Sequence, residues 1–399
     1  MKKHTRLLAL LLLAAMLVSL LAGCGRIADA QPETQVPQEE KTESTEQSGT
    51  ETAEQPGTEP ATRIVTDMYG REVEVPAVIN TFICTGTGCL RSVSYLDDLS
   101  RLVGIEETDL NYEVSTKRDY AHVIYGKVKD LPVIGKGGGT TYTAYVEEII
   151  KLNPDVIFTA YAQEALDQLS EETGIPIVCV RYGTVGFFAD STPFESAERI
   201  IAEVLGDEER CEELLAYVNE CKADLAARTA GIPDSEKPRV YTGAVTFSGA
   251  HGFAGTYAHF PPFEAIGALN VTDETGEKSS FEVDLEKVVV WDPEIIFLDP
   301  GNMNLVNDEY ASNPSFFESL SAVQNGEVYT MPSFNNYNTN VTYCIMDAYW
   351  AGKVIFPDRF ADIEMREKSN EILETFLGVG FFDEMEADGL YYGKITIGG

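Results

Sequence analysis

The residues best suited to bind a solute follow predicted strands, in two groups far apart in the sequence. Tyrosines recur in both groups and offer a flat apolar ring with a polar tip. An arginine in the first group can pair with anionic oxygens of a ligand. The first group is Thr85, Thr87, Lys136, Tyr142, Tyr161, Arg181 and Tyr182, and the second is His251, Asn336, Tyr337 and Asn338. These residue types predict noncovalent binding of a polar solute.

Catalysis has little support in the same residues. Neither G-x-S-x-G nor H-E-x-x-H occurs, and no Ser/His/Asp order typical of a triad is present. His122, His251 and His259 are scattered over separate segments without a pattern of acidic partners, so no direct metal site is expected. We therefore predict a binding protein that has no enzymatic activity and needs no cofactor.

The net charge and the cysteines limit the partners and metal sites that can be expected. The formal net charge of −36 would repel a phosphate backbone, so nucleic acid is not expected to bind. Six cysteines follow Cys24, and none of them forms a C-x-x-C pair, so a thiolate zinc site has no support. An even number of cysteines permits disulfides in an exported chain, but the spacing names no pairing, and buried free thiols are the better interpretation.

One helix–strand unit occurs twice. The segment VEEIIKLNPDVIF at 146–158 returns as LEKVVVWDPEIIF at 285–297, an offset of 139 residues, with Glu147 and Glu286 in equivalent positions. In each copy a proline stops the helix and a buried strand follows. The repeat predicts one such unit in each of two similar lobes. Either glutamate alone would also suit a solvated position favoured by the helix dipole.

The elements that must position these residues alternate along the chain. Short β-rich runs alternate with helical patterns over 63–192 and again over 232–399, which predicts two α/β lobes with mostly parallel central sheets. In the second lobe a helix is expected near 256–267. Between the lobes, 193–231 is helical, and its second helix, near 208–229, would span about 33 Å. That length suits a rigid connection between lobes, and a surface helix within one lobe is the alternative.

The N-terminal residues predict export. Residues 1–23 combine basic residues, an apolar run over 7–21 and small residues before Cys24, which is typical of a signal peptide. The apolar run is shorter than the ~20 residues that span a bilayer. Leu-Ala-Gly-Cys resembles a bacterial lipobox, which implies a lipid on Cys24. Residues 24–62 are acidic and polar, and predict a disordered tether.

Taken in order, the motifs resemble the substrate-binding proteins of ABC importers for iron-siderophores, haem and cobalamin. The resemblance covers about 64–378 and rests on TDMYGREVEVP, LPVIG, YVEEIIKLNPDVIF, GIPIVCV, LEKVVVWDPEIIF and LSAVQNGEVYTMP. It implies a class III periplasmic-binding fold, in which a long helix joins two lobes and a chelate is captured between them. It also implies a monomer, anchored by lipid to the outer face of the bacterial cell membrane, that delivers ligand to a permease and its ATPase. Glu147 and Glu286 match the positions that meet permease arginines.

The ligand class stays open at this point. SGAHGFAGTYAHFPPFEAIGALNV together with NNYNTN resembles a branch in which some members bind a small oxyanion such as molybdate or tungstate. Glycine turns and neutral Asn and Thr donors would suit such an ion, whereas the tyrosines suit a siderophore, haem or corrinoid, the interpretation we prefer. Arg181 could pair with anionic oxygens of a chelate, or form a salt bridge to a carboxylate. A surface enzyme or an adhesin on the same scaffold is the alternative from another class.

Overall fold

Strands and helices alternate from the first described residues onward. The computed structural model describes residues 61–111, 115–139, 141–183, 187–189 and 191–399. The first lobe contains strands β1 (Thr62–Thr66), β2 (Glu72–Pro76), β3 (Phe82–Thr85), β4 (Ile105–Glu106), β5 (Val133–Gly135), β6 (Val156–Thr159) and β7 (Ile177–Cys179). Its helices are α1 (Cys89–Leu96), α2 (Glu107–Leu110), α3 (Asp119–Val128), α4 (Val146–Leu152) and α5 (Gln163–Thr173).

Two helices lead into the second lobe, and further helices end the chain. The connecting helices are α6 (Pro193–Leu205) and α7 (Glu208–Thr229). The second lobe contains β8 (Arg239–Gly243), β9 (Gly255–Tyr257), β10 (Leu269–Asn270), β11 (Ser280–Glu282), β12 (Ile295–Leu298) and β13 (Val328–Thr330). The remaining helices are α8 (Pro261–Ala265), α9 (Leu285–Trp291), α10 (Met303–Ser312), α11 (Pro314–Ser319), α12 (Ser321–Asn325), α13 (Val341–Ile355), α14 (Met365–Leu377) and α15 (Phe382–Ala387).

A parallel sheet lies at the centre of each lobe. In the first lobe the strand order is β3-β6-β7, and the parallel pair β4-β5 lies next to β3 through a bridge between Phe82 and Leu102. In the second lobe the order is β10-β8-β12-β13, again parallel. Strands β6 and β12 are buried along their whole length, as expected for strands covered on both faces. The predicted pair of α/β lobes is confirmed.

The sequence repeat is also a structural repeat. Helices α4 and α9 each have seven residues and end at a residue in the left-handed region, Asn153 with φ 48° and Asp292 with φ 43°. Asn and Asp adopt this conformation more readily than other non-glycine residues. A proline follows in both copies, and the chain then enters the central strand. Each unit therefore runs from an outer helix to the strand end that faces the other lobe.

The long helix α7 contacts elements of both lobes. It covers 22 residues, as predicted, and buries one face against α6, α13 and α14. Near its start, Arg210 Nε donates to the carbonyl of Tyr95 at 3.3 Å, and its Nη2 donates to the carbonyl of Thr375 on α14. Helix α14 in turn contacts α1 and α3. The C-terminal helices thus help α7 to hold the first lobe.

The predicted helix at 256–267 is wrong over its first half. Gly255–Tyr257 forms β9, which pairs antiparallel with β11, and the helix covers only Pro261–Ala265. Thr256 and Tyr257 are good strand residues, and Pro261 stands at the first helical position, where its missing N–H costs nothing. The apolar pattern therefore belonged to a strand followed by one helical turn.

The six cysteines after Cys24 are buried free thiols, namely Cys84, Cys89, Cys179, Cys211, Cys221 and Cys344. Within the described ranges, the model contains no helix with the length and apolar character needed to cross a bilayer. The predicted signal peptide, Cys24 and residues 24–60 of the predicted tether lie outside the described residues.

Candidate functional site

A loop of the second lobe reaches into the first lobe and forms the floor of the cleft between them. This dividing loop, residues 333–340, connects β13 to α13. The fully buried guanidinium of Arg91 pairs with Asp119 Oδ1 at 2.9 Å and donates to the carbonyls of Asn336 and Tyr337, each at 2.8 Å. Burying an ion pair is costly unless its remaining donors are satisfied. Here the loop carbonyls satisfy them, so Arg91 links the lobes.

Arg118 holds the tip of the dividing loop from a second side. Its guanidinium lies 3.9 Å from the ring centroid of Tyr337, and its Nε donates to Asn336 Oδ1 at 3.2 Å. Tyr337 and Asn338 have φ values of 55° and 66°, a conformation that a tyrosine rarely adopts. Stacking on Arg118 and the Arg91 hydrogen bonds keep the loop in this strained form.

A buried carboxyl lies beneath the same loop. Glu106 accepts hydrogen bonds from Gly86 N at 3.1 Å, from the Tyr161 hydroxyl at 3.1 Å and from the Tyr337 hydroxyl at 3.4 Å. Burial, followed by the charge of nearby Asp109, raises the pKa of Glu106 to about 8. At neutral pH this side chain is mostly a neutral acid, so it contributes hydrogen bonds to the floor with little charge.

Asn338 of the dividing loop lines a cavity of about 230 Å³, which we call the arginine cavity. Its lining residues are Thr87, Ala160, Arg181, Tyr182 and Asn338. Arg181 Nη1 donates to the Tyr69 hydroxyl at 2.6 Å, which orients the guanidinium and leaves its other N–H groups for a ligand. The Thr87 hydroxyl oxygen is buried without a hydrogen-bond partner among the described atoms. None of the described residues of this lining is a carboxylate, so the cavity favours an anion.

Ser333 and Asn336 of the dividing loop line a second cavity of about 180 Å³, which we call the aspartate cavity. Its lining residues are Lys117, Thr246, Ala250, Asp299, Gly301, Asn302, Ser333, Asn336 and Leu390. Asp299 follows the buried strand β12 and accepts from Thr246 Oγ1 and Gly301 N, both at 2.9 Å. Burial raises the pKa of Asp299 to about 6, so at neutral pH the carboxylate is mostly ionised.

The structure brings together five of the predicted ligand residues. Thr87, Arg181, Tyr182 and Asn338 line the arginine cavity, and Asn336 lines the aspartate cavity. All five follow a strand of one of the parallel sheets, where ligands collect in open α/β folds.

Several other predicted residues support the cleft from behind instead of lining either cavity. Thr85 is buried and bonds the Thr159 hydroxyl at 2.9 Å. Tyr161 and Tyr337 both donate their hydroxyls to the buried Glu106. Tyr142 donates its hydroxyl to Glu172 on α5, and the Lys136 side chain is exposed. Most tyrosine hydroxyls expected to meet a ligand thus bond within the protein.

His251 does not take the ligand-contacting position expected of it. Its ring stacks on Phe247 at 3.8 Å between centroids, and its Nε2 lies 2.7 Å from the Phe247 carbonyl oxygen. Its Nδ1 lies 3.0 Å from Glu282 Oε1. Both ring nitrogens are therefore engaged within the second lobe. Nowhere in the described ranges do three or more His, Cys, Asp or Glu side chains cluster as metal ligands.

Sequence reasoning missed Asp299, Lys117 and Asn302. Asp299 carried a usable signal, because it directly follows the apolar run IIFL and so stands at the carboxyl end of a predicted strand. Lys117 carried none, since it precedes α3 in a segment whose partners lie more than 200 residues away, such as Asn340 Nδ2 on its carbonyl at 3.0 Å.

Helices α4 and α9 expose matched side chains on the outer surface of the lobes. Glu147 and Glu286 are exposed in the first turn of each helix. Three residues later, Ile150 is 49% exposed and Val289 is 42% exposed, and the adjacent Val290 is 82% exposed. An acidic residue with an aliphatic neighbour one turn away thus recurs at the offset of the repeat.

Comparisons with known proteins agree with this architecture. A family model described as periplasmic binding protein matches residues 83–334. The molybdate-binding protein MolA of Haemophilus influenzae is 25% identical over 338 residues, which cover 79% of this chain and 90% of that protein. A periplasmic solute binding protein of Veillonella parvula has a TM-score of 0.64 at 21% identity, covering 83% of this chain and 97% of that structure. Molybdate-bound MolA has a TM-score of 0.60 at 22% identity, covering 80% and 99%.

Proposed function

Because this chain belongs to the periplasmic binding protein family, and is therefore an extracytoplasmic solute-binding component of an ABC importer, we propose that its solute is a small oxyanion of the molybdate class. The arginine cavity carries this proposal. Its described lining residues supply a cation, a hydroxyl without a described partner and an amide, and no carboxylate is among them. In a chain of net charge −36 such a lining needs an explanation, and an anionic ligand provides one.

The donors of this cavity are fixed before any ligand arrives. Tyr69 orients Arg181, and the backbone N–H of Thr87 donates to the Gly139 carbonyl at 3.2 Å, which fixes the residue that carries the free hydroxyl. Donors held in place lose little conformational entropy on binding, and charge-assisted hydrogen bonds to an anion are the stronger kind. The likeness to MolA over 90% of that protein adds support, since MolA is a molybdate-binding protein.

A metal chelate, the ligand preferred from the sequence, is the second candidate. It is favoured by the exposed position of Arg181, which lies 5.9 Å from the Tyr69 ring centroid at the edge of the cavity. Siderophores, haem and corrinoids carry anionic or carbonyl oxygens that an arginine can bind. Such ligands exceed the volume of the cavity, so they would need the lobes to move apart.

Isothermal titration calorimetry with the purified chain tests the proposal. Molybdate and tungstate are titrated first, followed by a ferric siderophore, haem and a corrinoid. We expect molybdate to bind and to stabilise the fold by about 2.7 kcal/mol at 100 times its Kd. Arg181→Met should weaken binding at least tenfold, whereas Lys136→Met, at an exposed lysine outside the cavity, should not. Molybdate binding that is unchanged in R181M would contradict this assignment.

We propose further that α4 and α9 dock the permease through Glu147 and Glu286. Opposite charges on two equivalent helices would steer and orient a basic partner, and the exposed Ile150 and Val289 would add apolar area beside each charge. Glu147→Arg combined with Glu286→Arg should abolish uptake in cells while ligand binding in vitro stays intact. The matched control is Glu164→Arg with Glu277→Arg, at exposed glutamates outside both helices. Equal uptake by both double variants would argue against docking through this pair.

Lipid anchoring at Cys24 remains a proposal that the sequence supports. The export signal and the Leu-Ala-Gly-Cys motif point to attachment at the outer face of the cell membrane. We expect the wild-type chain to partition with membranes, and Cys24→Ala to appear in the soluble fraction after fractionation. A Cys24→Ala variant that stays with the membranes and still carries a lipid would exclude this attachment.

A further inference from the structure

The aspartate cavity holds two opposite charges that do not meet. Asp299 and Lys117 line the same cavity of about 180 Å³, yet no ion pair within 4.0 Å joins Lys117 to any carboxylate of the described residues. The Asp299 side chain is buried and the Lys117 side chain is exposed, so the two residues line one cavity without forming an ion pair. The gap between the charges is the feature that needs a ligand.

One end of the cavity presents hydrogen-bond acceptors. Asp299 is only 6% exposed and lines the cavity, and its carboxylate accepts from Thr246 Oγ1 and Gly301 N, both at 2.9 Å, and from Asn302 Nδ2 at 3.3 Å. The Asn302 amide nitrogen donates to the Ala244 carbonyl at 2.8 Å and to Thr246 Oγ1 at 2.9 Å. Those bonds fix the amide, and none of the described hydrogen bonds uses its oxygen. An ammonium group would suit this end.

The other end presents hydrogen-bond donors. Lys117 belongs to the first lobe, and its side chain is exposed to solvent. Its backbone carbonyl accepts a hydrogen bond from Asn340 Nδ2. On the dividing loop, the Asn336 amide oxygen accepts from Arg118 Nε at 3.2 Å, which turns the amide nitrogen away from that contact. No described hydrogen bond uses that nitrogen. A carboxylate would suit the Lys117 and Asn336 end.

We infer that the aspartate cavity is a second solute site, separate from the arginine cavity, that takes a compact zwitterion carrying an ammonium and a carboxylate group. The ammonium lies against Asp299 and Asn302, and the carboxylate against Lys117 and Asn336. A fully deprotonated oxyanion is a poor ligand here, because Asp299 would repel it. The two cavities share no lining residue and therefore differ in the charge pattern of their ligands.

Calorimetry with small probes tests this site. Glycine, L-alanine and L-serine represent the zwitterion, while acetate and ethylamine each carry one of its charges. We expect at least one of the three amino acids to bind the wild-type chain, and neither acetate nor ethylamine to bind measurably. Lys117→Met and Asp299→Asn should each weaken amino-acid binding about tenfold to 100-fold, the range for losing a charge-assisted hydrogen bond.

The control variants separate this inference from the oxyanion proposal. Arg181→Met should weaken molybdate binding and leave amino-acid binding unchanged, and Lys117→Met should do the reverse. Lys117 is exposed, so its variant should fold even if Asp299→Asn does not, and near-wild-type thermal melting confirms that. The inference is overturned if no amino acid binds the wild-type chain, or if binding is equally strong in the folded Lys117→Met variant. Neither result would affect the molybdate titrations that test the oxyanion proposal.

Discussion

The two copies of the repeated unit agree at their outer ends and differ where they reach the cleft. Outside, both present a glutamate on a seven-residue helix. Inside, Ala160 follows β6, whereas Asp299 follows β12 at the same offset of 139 residues. Ala160 leaves the arginine cavity without a carboxylate, and Asp299 places one in the aspartate cavity. One side chain at the end of each central strand thus sets the charge that each lobe offers a ligand.

This difference separates the residues that build the fold of both lobes from the residue that determines what each lobe binds. The helix, the proline and the buried strand are alike in both lobes because they build the sheet and its outer face. The residue after the strand contributes neither to the sheet nor to its outer face, so its type can vary with the ligand. The dividing loop contributes to both cavities, with Asn336 in the aspartate cavity and Asn338 in the arginine cavity.

The largest expected effect comes from removing the link that holds the dividing loop. Arg91→Met leaves Asp119 buried without its ion-pair partner and two loop carbonyls without donors. We expect the free energy of unfolding to fall by about 3–5 kcal/mol, measured by urea denaturation. Ligand binding in both cavities should weaken together, because both share the loop.

Arg199→Met is the matched control for that substitution. Arg199 pairs with Glu212 on the surface, with both side chains more than half exposed. Its loss should cost less than about 1 kcal/mol. Equal losses in the two variants would show that the Arg91 contacts do not stabilise the fold.

A second effect, on the order of a few kcal/mol, concerns Glu106 beneath the loop. Its pKa rises from 4.5 to about 8 on folding, through burial and then the charge of Asp109. Between those values the folded state binds a proton that the unfolded state has released. Stability should therefore fall as pH increases from about 4.5 to 8 and then level off.

Glu106→Gln removes this titration while keeping a side chain of the same shape. Urea denaturation at pH 5, 6.5, 8 and 9 should show a smaller decrease in the variant than in the wild-type chain. The variant should also be the more stable of the two at pH 9. Parallel pH profiles would mean that Glu106 titrates at its ordinary pKa.

The sequence was informative where local patterns decide the structure. The repeat, the prolines after α4 and α9 and the alternation of strands and helices predicted both sheets and the 22-residue connecting helix. Strand ends predicted Thr87, Arg181 and Asn338, because parallel strands bring their carboxyl ends to one edge. That rule needs only the positions of the strands.

Local patterns failed where distant segments meet. Arg91 and Arg118 bind a loop about 220–250 residues away, and nothing near either residue indicates that partner. The glycine-rich surroundings of His251 suggested a cleft position, but stacking on Phe247 four residues earlier keeps its ring within the second lobe. Tyrosines that were expected to contact the ligand donate their hydroxyls to groups of the protein instead, as Tyr161 does to the buried Glu106.

Substituting the residue that follows β6 tests the difference between the two lobes directly. Ala160→Asp places a carboxylate in the arginine cavity, where it can pair with Arg181 and repel an anion. We expect molybdate affinity, measured by calorimetry, to fall by about 1.4–3 kcal/mol, or tenfold to more than 100-fold. Ala162→Asp adds the same charge two residues later, at the N-cap of α5 and outside the cavity lining. An equal loss of molybdate affinity in both variants would mean that the added negative charge acts regardless of its position in the cavity.

The smallest expected effect on the fold tests the outer ends, where the two copies agree. Ile150→Ser with Val289→Ser removes exposed aliphatic side chains, so the free energy of unfolding should change by less than about 0.5 kcal/mol per site. If these residues contact the permease beside Glu147 and Glu286, uptake in cells should nevertheless decrease while solute binding stays unchanged. Val78→Ser, at an exposed valine outside both helices, should leave uptake intact. Normal uptake by the double variant would confine docking to the glutamates, because the aliphatic side chains would then add nothing to it.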